Sequence, residues 1–241
     1  MILLLDAGNT RVKWCAMDTG ARAALDEGAC AHDEVEALAA VLRRHSAITR
    51  IVGTNVAGLA MANRIDAIAR AVDLVPQWLT PLPYCCGVSS RYDKPAQLGA
   101  DRWAALIGAR QLHQADCLVV SAGTATTIDL LTADGHFEGG LILPGVELMQ
   151  RALADGTAQL PLAHGRFALT PRCTADAIHS GCLQAQAGAV ERMFRQIADR
   201  PGALCLLAGG AADQFANLLD IPVRRIDNLV LIGLQAIVRT G

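Results

Sequence analysis

The sequence predicts an α/β protein of two similar units, each a mixed sheet flanked by helices. Two observations carry this prediction. Short apolar runs that end in Gly, Ser, Thr or Asn alternate with stretches of helical periodicity along the 241 residues. In addition, one pattern of apolar strand, small-residue turn and second strand occurs near residue 2 and again near residue 117. We therefore expect an N-terminal domain at 1–113 and a C-terminal domain at 114–241.

Composition limits the class of protein. Apolar residues make up 52% of the chain and charged residues 18%, which is enough for a sizeable core. The formal net charge of −2 and the scattered arginines argue against nucleic acid as a partner. No apolar run is long enough to cross a bilayer, and no secretory signal is recognisable after Met1. We therefore expect a cytoplasmic protein, not bound to membrane, whose eight cysteines are reduced thiols.

The elements of the first unit follow from periodicity. An apolar run and an alternating run form an opening hairpin, and apolar stripes at helical spacing mark the helices. Asp33 is the expected N-cap of the first helix. A stretch rich in Pro, Gly and Ser lacks periodicity and is expected to be a long ordered loop. The predicted elements are strands at 2–5, 11–17 and 50–56, helices at 33–45, 59–72 and 100–113, and the loop at 75–99.

The second unit repeats the opening hairpin and extends it through the dipeptide "DG", a strong hairpin-turn signal. A long amphipathic helix and a final strand ending in Gly-Gly follow. The predicted elements are strands within 117–131, 132–145 and 203–210, and helices near 145–155, 174–199, 210–218 and 228–239.

Both hairpin turns have residues suited to holding phosphate. The stretches "DAGNTRVK" and "AGTATT" each place glycine and small polar side chains directly after a buried strand. Such turns leave backbone N–H groups accessible to an anion, and glycine permits its close approach. Asp6 is a candidate ligand for Mg²⁺, and Lys13 is a candidate counter-charge for phosphate. An ordinary hairpin turn explains either motif alone, whereas their matched placement favours two phosphate-binding turns.

Two further motifs suggest chemistry. "LGADRW" opens a helix after the long loop, where Asp101 can take the proton of a substrate hydroxyl and Arg102 can pair with a substrate carboxylate. Helix starts favour acidic residues in any case, so Asp101 also has a purely structural explanation. "LLAGGAADQF" offers bare Gly-Gly backbone on which an adenine ring can lie, although a tight strand-to-helix turn explains it equally well.

Together, the motifs "DAGNTRVK", "YDKPAQLGADRW", "AGTATTID", "EGGLILPG" and "AGGAAD" resemble those of type III pantothenate kinases. That family belongs to the superfamily of actin, sugar kinases and heat-shock chaperones, whose members have two ribonuclease-H-like domains. The resemblance implies transfer of the γ-phosphate of ATP to pantothenate, the first step of coenzyme A biosynthesis. It also implies ATP and Mg²⁺ as cofactors and a homodimeric assembly.

The resemblance further implies roles for individual residues. Asp101 is implied as the general base and Asp6 as the metal ligand. The implied ATP contacts are Asp6, Gly8, Asn9, Thr10, Lys13, Gly123, Thr124, Gly209 and Gly210. The implied pantothenate contacts are Tyr92, Gly99, Ala100, Asp101, Arg102 and Thr174. The helices near 100–112 and 174–195 are candidates for the dimer contact.

One position departs from the family pattern. Many members have an aspartate before the "GTATT" turn that binds a monovalent cation, whereas this chain has Ser121 there. Because serine has no charge, we expect no tight potassium site, and activation by potassium or ammonium stays open. Two alternative functions also stay open: a kinase for another small hydroxyl substrate, and a non-catalytic accessory or regulatory protein of the same fold.

Overall fold

The computed structural model describes residues 1–18, 20, 24–157, 160, 162 and 165–240. Contacts within the chain define two units. Unit 1 comprises Met1–Leu112 and Asn228–Gly241, and unit 2 comprises His113–Asp227. This grouping differs from the predicted domains at the C-terminal helix, whose apolar face packs with residues of unit 1.

The described residues form strands and helices throughout. The strands are β1 (Ile2–Ala7), β2 (Arg11–Met17), β3 (Ala24–Ala31), β4 (Arg50–Asn55), β5 (Pro76–Trp78), β6 (Tyr84–Cys85), β7 (Val88–Ser90), β8 (Cys117–Ala122), β9 (Ala125–Leu131), β10 (His136–Pro144), β11 (Leu204–Ala208) and β12 (Val223–Arg225). The helices are α1 (Ala37–Arg44), α2 (Leu59–Arg70), α3 (Ala100–Leu112), α4 (Val146–Gly156), α5 (Thr174–Phe194) and α6 (Leu229–Thr240). Among the described residues, no helix combines the length and apolarity needed to span a membrane.

The main strands of the two units follow one order. Unit 1 has the order β3-β2-β1-β4-β5, and unit 2 has the order β10-β9-β8-β11-β12. In each unit the first three strands pair antiparallel, and the last two run parallel to the central strand. This repeated order confirms the predicted α/β class and the predicted duplication of a mixed sheet flanked by helices.

The sheet of unit 1 is covered on both faces, and β1 shows how. Leu3 and Leu5 pack with α1 and α2 on one face. Ile2 and Leu4 pack with α3 and α6 on the other face. Because side chains alternate along a strand, Asp6 lies on the same face as Ile2 and Leu4. The alternation therefore directs the carboxylate of Asp6 toward the face that α3 covers.

Helices α3 and α6 meet through glycine. Every residue of α3 from Arg102 to Ala109 is buried. A Cβ atom on Gly108 would collide with the carbonyl oxygen of Leu229, and one on Gly233 would collide with the carbonyl oxygen of Ala104. The two helices therefore touch backbone to backbone, and α6 holds α3 against the sheet.

One face of the unit 2 sheet packs against α5. Leu118 and Val120 of β8 pack with Leu183 and Phe194 of α5. By the alternation along β8, Ser121 lies on the opposite face. The register places Ser121 beside Thr127 of β9 and beside Ala208 of β11.

Several predicted elements differ from the structure. The stretch 75–99, predicted as an irregular loop, contains β5, β6 and β7, and the sequence also gave no signal for β3 or β12. The residue before the first helix is Glu36 and not Asp33, because residues 32–34 form a separate 3₁₀ turn, and the Glu36 side chain makes no capping hydrogen bond. The helix predicted near 210–218 is two short 3₁₀ turns, and α5 ends at Phe194.

Candidate functional site

Asp6 lies near the carboxyl end of β1 between two polar neighbours. It is in register with Lys13 of antiparallel β2 and with Thr54 of parallel β4. Residues in register share a face of the sheet, so the three side chains lie together on the α3 side. Thr54 is fully buried, and its Oγ1 donates a hydrogen bond of 2.9 Å to Asp6 Oδ1. This bond fixes the orientation of the carboxylate.

Asp101, in the first turn of α3, is a second carboxylate close to Asp6. The backbone N–H of Arg102 donates to Asp101 Oδ1 at 2.8 Å. Burial raises the pKa of Asp6 above its ordinary value, the Thr54 hydrogen bond opposes that rise, the negative charge of Asp101 adds to it, and Lys13 opposes it. Unit 1 therefore holds two carboxylates that repel each other, which is an arrangement that a cation relieves.

The carboxylates of Asp6 and Asp101 suit Mg²⁺ bound together with substrate phosphate better than a metal whose ligands all come from the protein. Among the residues with described coordinates, no group of three or more His, Cys, Asp or Glu side chains is placed to hold a metal ion. Magnesium is usually bound by one or two carboxylates, with substrate phosphate and water as the remaining ligands. Asp6, with Asp101 nearby, has the donor chemistry that this mode of binding requires.

The start of α3 brings together the predicted pantothenate contacts of unit 1. The Arg102 guanidinium is buried, donates a hydrogen bond of 3.1 Å to Tyr92 Oη, and lies 5.8 Å from the centre of the Tyr92 ring. Gly99 and Ala100 lead directly into Asp101. A Cβ atom on Gly99 would stand 2.7 Å from Asp101 Oδ1, so any larger residue there would displace the carboxylate.

The first hairpin turn connects β1 to β2. The backbone N–H of Gly8 donates to the carbonyl oxygen of Arg11 at 3.1 Å, which closes the turn. The Nε2 atom of His32 lies 2.8 Å from the carbonyl oxygen of Gly8. A carbonyl only accepts hydrogen bonds, so Nε2 carries the proton. Asn9 and Thr10 are exposed at the tip of the turn.

The second hairpin turn connects β8 to β9 and is supported by backbone. The N–H of Gly123 donates to the carbonyl oxygen of Ala125 at 3.0 Å. The N–H of Gly145, just before α4, donates to the carbonyl oxygen of Thr124 at 2.8 Å. A Cβ atom on Gly145 would collide with the carbonyl oxygen of Gly123. Only glycine can therefore support this turn so closely.

The Gly-Gly pair after β11 lies beside the second turn. Gly209 has a φ of 97° and packs against the carbonyl oxygen of Ala122, which leaves no space for a side chain. The N–H of Ala211 donates to the same carbonyl at 3.1 Å. Gly210 is exposed, and the position where its Cβ atom would stand is open. Within unit 2 the structure thus brings Gly209 and Gly210 next to Gly123.

Thr174, the remaining predicted pantothenate contact, lies in unit 2 and not at the start of α3. It is the exposed first residue of α5, and the chain around 165–168 packs against this end of the helix. The N–H of Arg166 donates to Asp176 Oδ1 at 2.7 Å, which ties that segment to the first turn of α5. The role of Thr174 as a substrate contact stays a prediction.

Two residues of the site were not predicted. Thr54 lies in the stretch "RIVGTNV" and was included only as part of a strand, although a polar residue near a strand end was a usable signal. His32 stands alone in the sequence, and nothing nearby indicates that it reaches the first turn.

Comparison with known proteins identifies the family. Residues 2–196 match the family model described as Type III pantothenate kinase. A type III pantothenate kinase from Aromatoleum aromaticum is 60% identical over 239 residues, which cover 99% of this chain and 98% of that protein. One from Azoarcus sp. strain BH72 is 52% identical over 237 residues, which cover 98% and 90% respectively.

A solved structure shares the fold at much lower identity. A Sinorhizobium meliloti protein, provisionally assigned as a 2-dehydro-3-deoxygalactonokinase, superposes with a TM-score of 0.66 and 17% identity, covering 100% of this chain and 99% of that chain. This likeness concerns the fold alone, and it agrees with the predicted α/β fold. With the sequence matches over nearly its whole length, the chain belongs to the type III pantothenate kinase family.

Proposed function

We propose that the chain transfers the γ-phosphoryl group of ATP to the terminal hydroxyl of pantothenate. The product is 4'-phosphopantothenate, and the reaction opens coenzyme A biosynthesis. Family membership supports the reaction. The observation that carries it is the pair of carboxylates in unit 1, where burial and, to a smaller extent, the charge of Asp101 raise the pKa of the hydrogen-bonded Asp6. Such a pair suits one metal ligand and one base.

The two carboxylates have different tasks. Phosphoryl transfer depends on positioning and on charge stabilisation more than on covalent chemistry. Asp101 accepts the proton of the attacking hydroxyl, and Asp6, oriented by Thr54, holds the divalent cation. Bound magnesium supplies positive charge that offsets the charge of the phosphate oxygens. The surroundings of the two carboxylates support this division of roles. Of the two, Asp6 is the one oriented by a hydroxyl donor, which Thr54 provides.

Substrate contacts follow from the same grouping. Arg102 has a buried guanidinium, a group that pairs well with a carboxylate such as that of pantothenate. Tyr92 orients this guanidinium through its hydroxyl and its ring. Gly99 leaves room for the Asp101 carboxylate, because a Cβ atom there would stand 2.7 Å from Asp101 Oδ1. We assign Ala100, between the two, as a further contact on the resemblance. We assign Thr174 a further contact with pantothenate on the resemblance alone.

The ATP contacts are assigned unit by unit. In unit 1 they are the exposed tip of the first turn and the charge beside Asp6, namely Gly8, Asn9, Thr10 and Lys13. In unit 2 they are the second turn and the open backbone beside it, namely Gly123, Thr124, Gly209 and Gly210. Exposed N–H groups in such turns bind phosphate, and bare glycine backbone accommodates a flat ring.

Two properties of the assembly belong to the same proposal. The chain forms a homodimer in the cytoplasm, and exposed apolar side chains of unit 2 support self-association: Leu141, Ile142, Leu148 and Leu153. Of the two helices predicted for the contact, α3 is buried within unit 1, so α5 is the better candidate. Analytical ultracentrifugation of the purified chain measures the oligomeric state.

The same proposal includes weak dependence on monovalent cations. Ser121, Thr127 and Ala208 provide no carboxylate at the end of β8. We expect potassium or ammonium to change the reaction rate only slightly. Replacement of sodium by potassium in the assay buffer tests this expectation, and a strict requirement for potassium would contradict it.

The decisive experiment is a coupled assay of ADP release with ATP, Mg²⁺ and pantothenate. Asp101→Asn should lower the rate of phosphoryl transfer by about 10²–10⁴, because a positioned general base contributes that much. Asp199→Asn, the same chemical change at an exposed turn residue, should leave the rate unchanged. Arg102→Ala should instead raise the KM for pantothenate more than the KM for ATP.

Each alternative function gives a different result in this assay. ADP release that depends on another hydroxyl substrate, and not on pantothenate, would indicate a kinase of different specificity. Absence of release with every substrate in a panel, at high ATP, would favour an accessory or regulatory protein.

A further inference from the structure

The β6–β7 hairpin of unit 1 ends in two adjacent cysteines. Cys85 pairs with Val88, so Cys86 and Gly87 form a two-residue turn. Their φ angles are 49° and 80°. Both are positive, as in a type I′ turn, where Asn, Asp or Gly is favoured at the first position. A cysteine at such a position carries a conformational cost, and a function of its thiol would account for that cost.

The two thiols touch each other at the edge of a pocket. The Cys85 thiol donates to the Cys86 sulfur across 3.5 Å. The Cys86 sulfur also lies 3.5 Å from Thr240 Oγ1. Cys86 lines a pocket of about 310 Å³ together with Gln111 of α3 and polar residues of α6 that include Gln235. The thiol pair therefore has space beside it for a group bound to sulfur.

We propose that Cys85 and Cys86 form a dithiol site for a trivalent, thiophilic centre that carries one organic group, such as an organoarsenical. An arsenoxide R–As=O condenses with the two thiols to give R–As(SR′)₂ and one water. Two As–S bonds form, the two thiol protons leave in the water, and arsenic stays trivalent, so no oxidant or reductant is consumed. The organic group R then occupies the pocket.

Two other uses of the pair fit the geometry less well. Adjacent Cα atoms are about 3.8 Å apart across a trans peptide, below the lower end of about 4.4 Å for ordinary disulfides, so a direct disulfide would be strained. Structural zinc needs four ligands as a rule, and no third His, Cys, Asp or Glu among the described residues completes a cluster here. An arsenical that already carries one substituent needs only two thiols.

The protonation of Cys85 also favours an arsenical over a divalent metal at this site. Burial and the neighbouring Cys86 thiol raise the pKa of Cys85 to about 11. A divalent metal requires thiolates and must therefore displace protons against this raised pKa. Condensation with an arsenoxide consumes the protonated thiols and releases water.

The site is separate from the carboxylate pair. Gln111 lies ten residues after Asp101 on α3, which corresponds to roughly 15 Å along the helix at its usual rise. Binding at the dithiol is therefore testable without reference to the proposed kinase activity.

The test uses phenylarsine oxide on the full chain, with all thiols kept reduced by a phosphine. Intact-mass spectrometry after desalting should show one phenylarsenic group per chain. That adduct should resist excess 2-mercaptoethanol and be released by 2,3-dimercaptopropanol. Cys85→Ser and Cys86→Asn should each weaken binding by about 10²–10⁴, because loss of one thiol removes the gain from joining two.

The controls separate chelation from simple thiol reactivity. Cys86→Asn suits the turn, so a change in thermal unfolding is not expected to accompany its loss of binding. Cys173→Ser, at an exposed cysteine of unit 2, should keep the adduct. Absence of an adduct on the wild-type chain, its release by 2-mercaptoethanol, or its survival in Cys85→Ser would each overturn the proposal.

Discussion

The two hairpin turns occupy the same place in the same strand order, yet only one carries charge. Each central strand ends in a polar residue and an alanine, and a glycine follows: Asp6-Ala7-Gly8 in unit 1 and Ser121-Ala122-Gly123 in unit 2. The neighbours in register differ, and they are Lys13 and Thr54 in unit 1 but Thr127 and Ala208 in unit 2. The repeated backbone thus provides two glycine-containing turns, and only the first has a carboxylate and an ammonium group beside it. We therefore assign the proposed metal and acid–base chemistry to unit 1.

The supports of the two turns differ as well. The first turn is held from outside by a side chain, the imidazole of His32 on the Gly8 carbonyl. The second turn is held by backbone, through Gly145. We therefore expect the first turn to respond to substitutions gradually and the second to tolerate almost none.

The largest expected difference in kcat/KM is the one between Asp6→Asn and Ser121→Ala. Loss of the Asp6 charge should lower kcat/KM by about 10²–10³, the cost of removing one preorganised electrostatic group. Ser121→Ala removes a neutral hydroxyl and should have little effect. Steady-state kinetics at saturating and limiting Mg²⁺ measures both. Equal losses in the two variants would contradict the assignment of metal binding to unit 1.

Asp6→Asn should also stabilise the protein. The pKa of Asp6 is raised in the folded state, so its ionised form costs folding free energy above that pKa, and the cost disappears as pH falls through it. At neutral pH the variant should have the higher Tm, by about 2–4 °C for each kcal/mol. The difference should shrink as the pH is lowered toward the ordinary carboxyl range. A lower Tm for the variant at pH 7 would show that ionised Asp6 is stabilising.

The substitutions Gly145→Ala and Gly8→Ala compare the rigidity of the two hairpin turns. The new Cβ atom collides with the Gly123 carbonyl in Gly145→Ala, and overpacking of this kind costs about 1–3 kcal/mol. In Gly8→Ala the nearest atom, the Arg11 carbonyl oxygen, is 3.4 Å away, so a small shift suffices. Denaturant unfolding should show a clear loss only for Gly145→Ala, and the KM for ATP should rise in that variant. Similar stability for both would mean that the second turn yields easily.

Thr54→Val tests the hydroxyl that orients Asp6. The two side chains have similar shapes, but valine cannot donate to Asp6 Oδ1, so the pKa of Asp6 should rise further. The acidic limb of the kcat/KM pH profile should then move to higher pH. Thr54→Ser should restore the profile, and Thr127→Val, the same change at a threonine in register with Ser121 of unit 2, should not shift it. An unshifted profile in Thr54→Val would show that the hydroxyl has no influence on Asp6 ionisation.

The smallest effect on stability and on the KM for ATP is expected for substitutions of His32. His32→Leu removes the donor to the Gly8 carbonyl and should cost about 0.5–1.5 kcal/mol of folding free energy. The KM for ATP should rise a few-fold at most, because the Gly8–Arg11 hydrogen bond still closes the turn. His32→Gln keeps an N–H donor and should fall between Leu and wild type. Calorimetry alongside ATP titration distinguishes these cases.

The features that could be predicted from the sequence are those determined by residues close together in the chain. The apolar runs of β1 and β8 and the small polar residues after them lie within single motifs, and so do Asp101 and Arg102. Thr54 was missed because its partner Asp6 is 48 positions away, and His32 because Gly8 is 24 positions away. The short β6 and β7 lack the length that makes alternation visible. The place of α6 depends on glycine contacts with α3, which no local pattern reports.

The return of α6 to unit 1 has a consequence for synthesis. Unit 2 is one continuous stretch, whereas unit 1 needs Leu229–Thr240 to cover the buried face of α3. Domains fold as their residues leave the ribosome, so unit 2 can be complete before unit 1. A chain ending at Asp227 should show fast amide exchange in α3 and normal protection in α5. The helix that carries Asp101 is thus covered by a segment that follows unit 2 in the chain, and we expect α3 to gain its full protection only after unit 2 has been made.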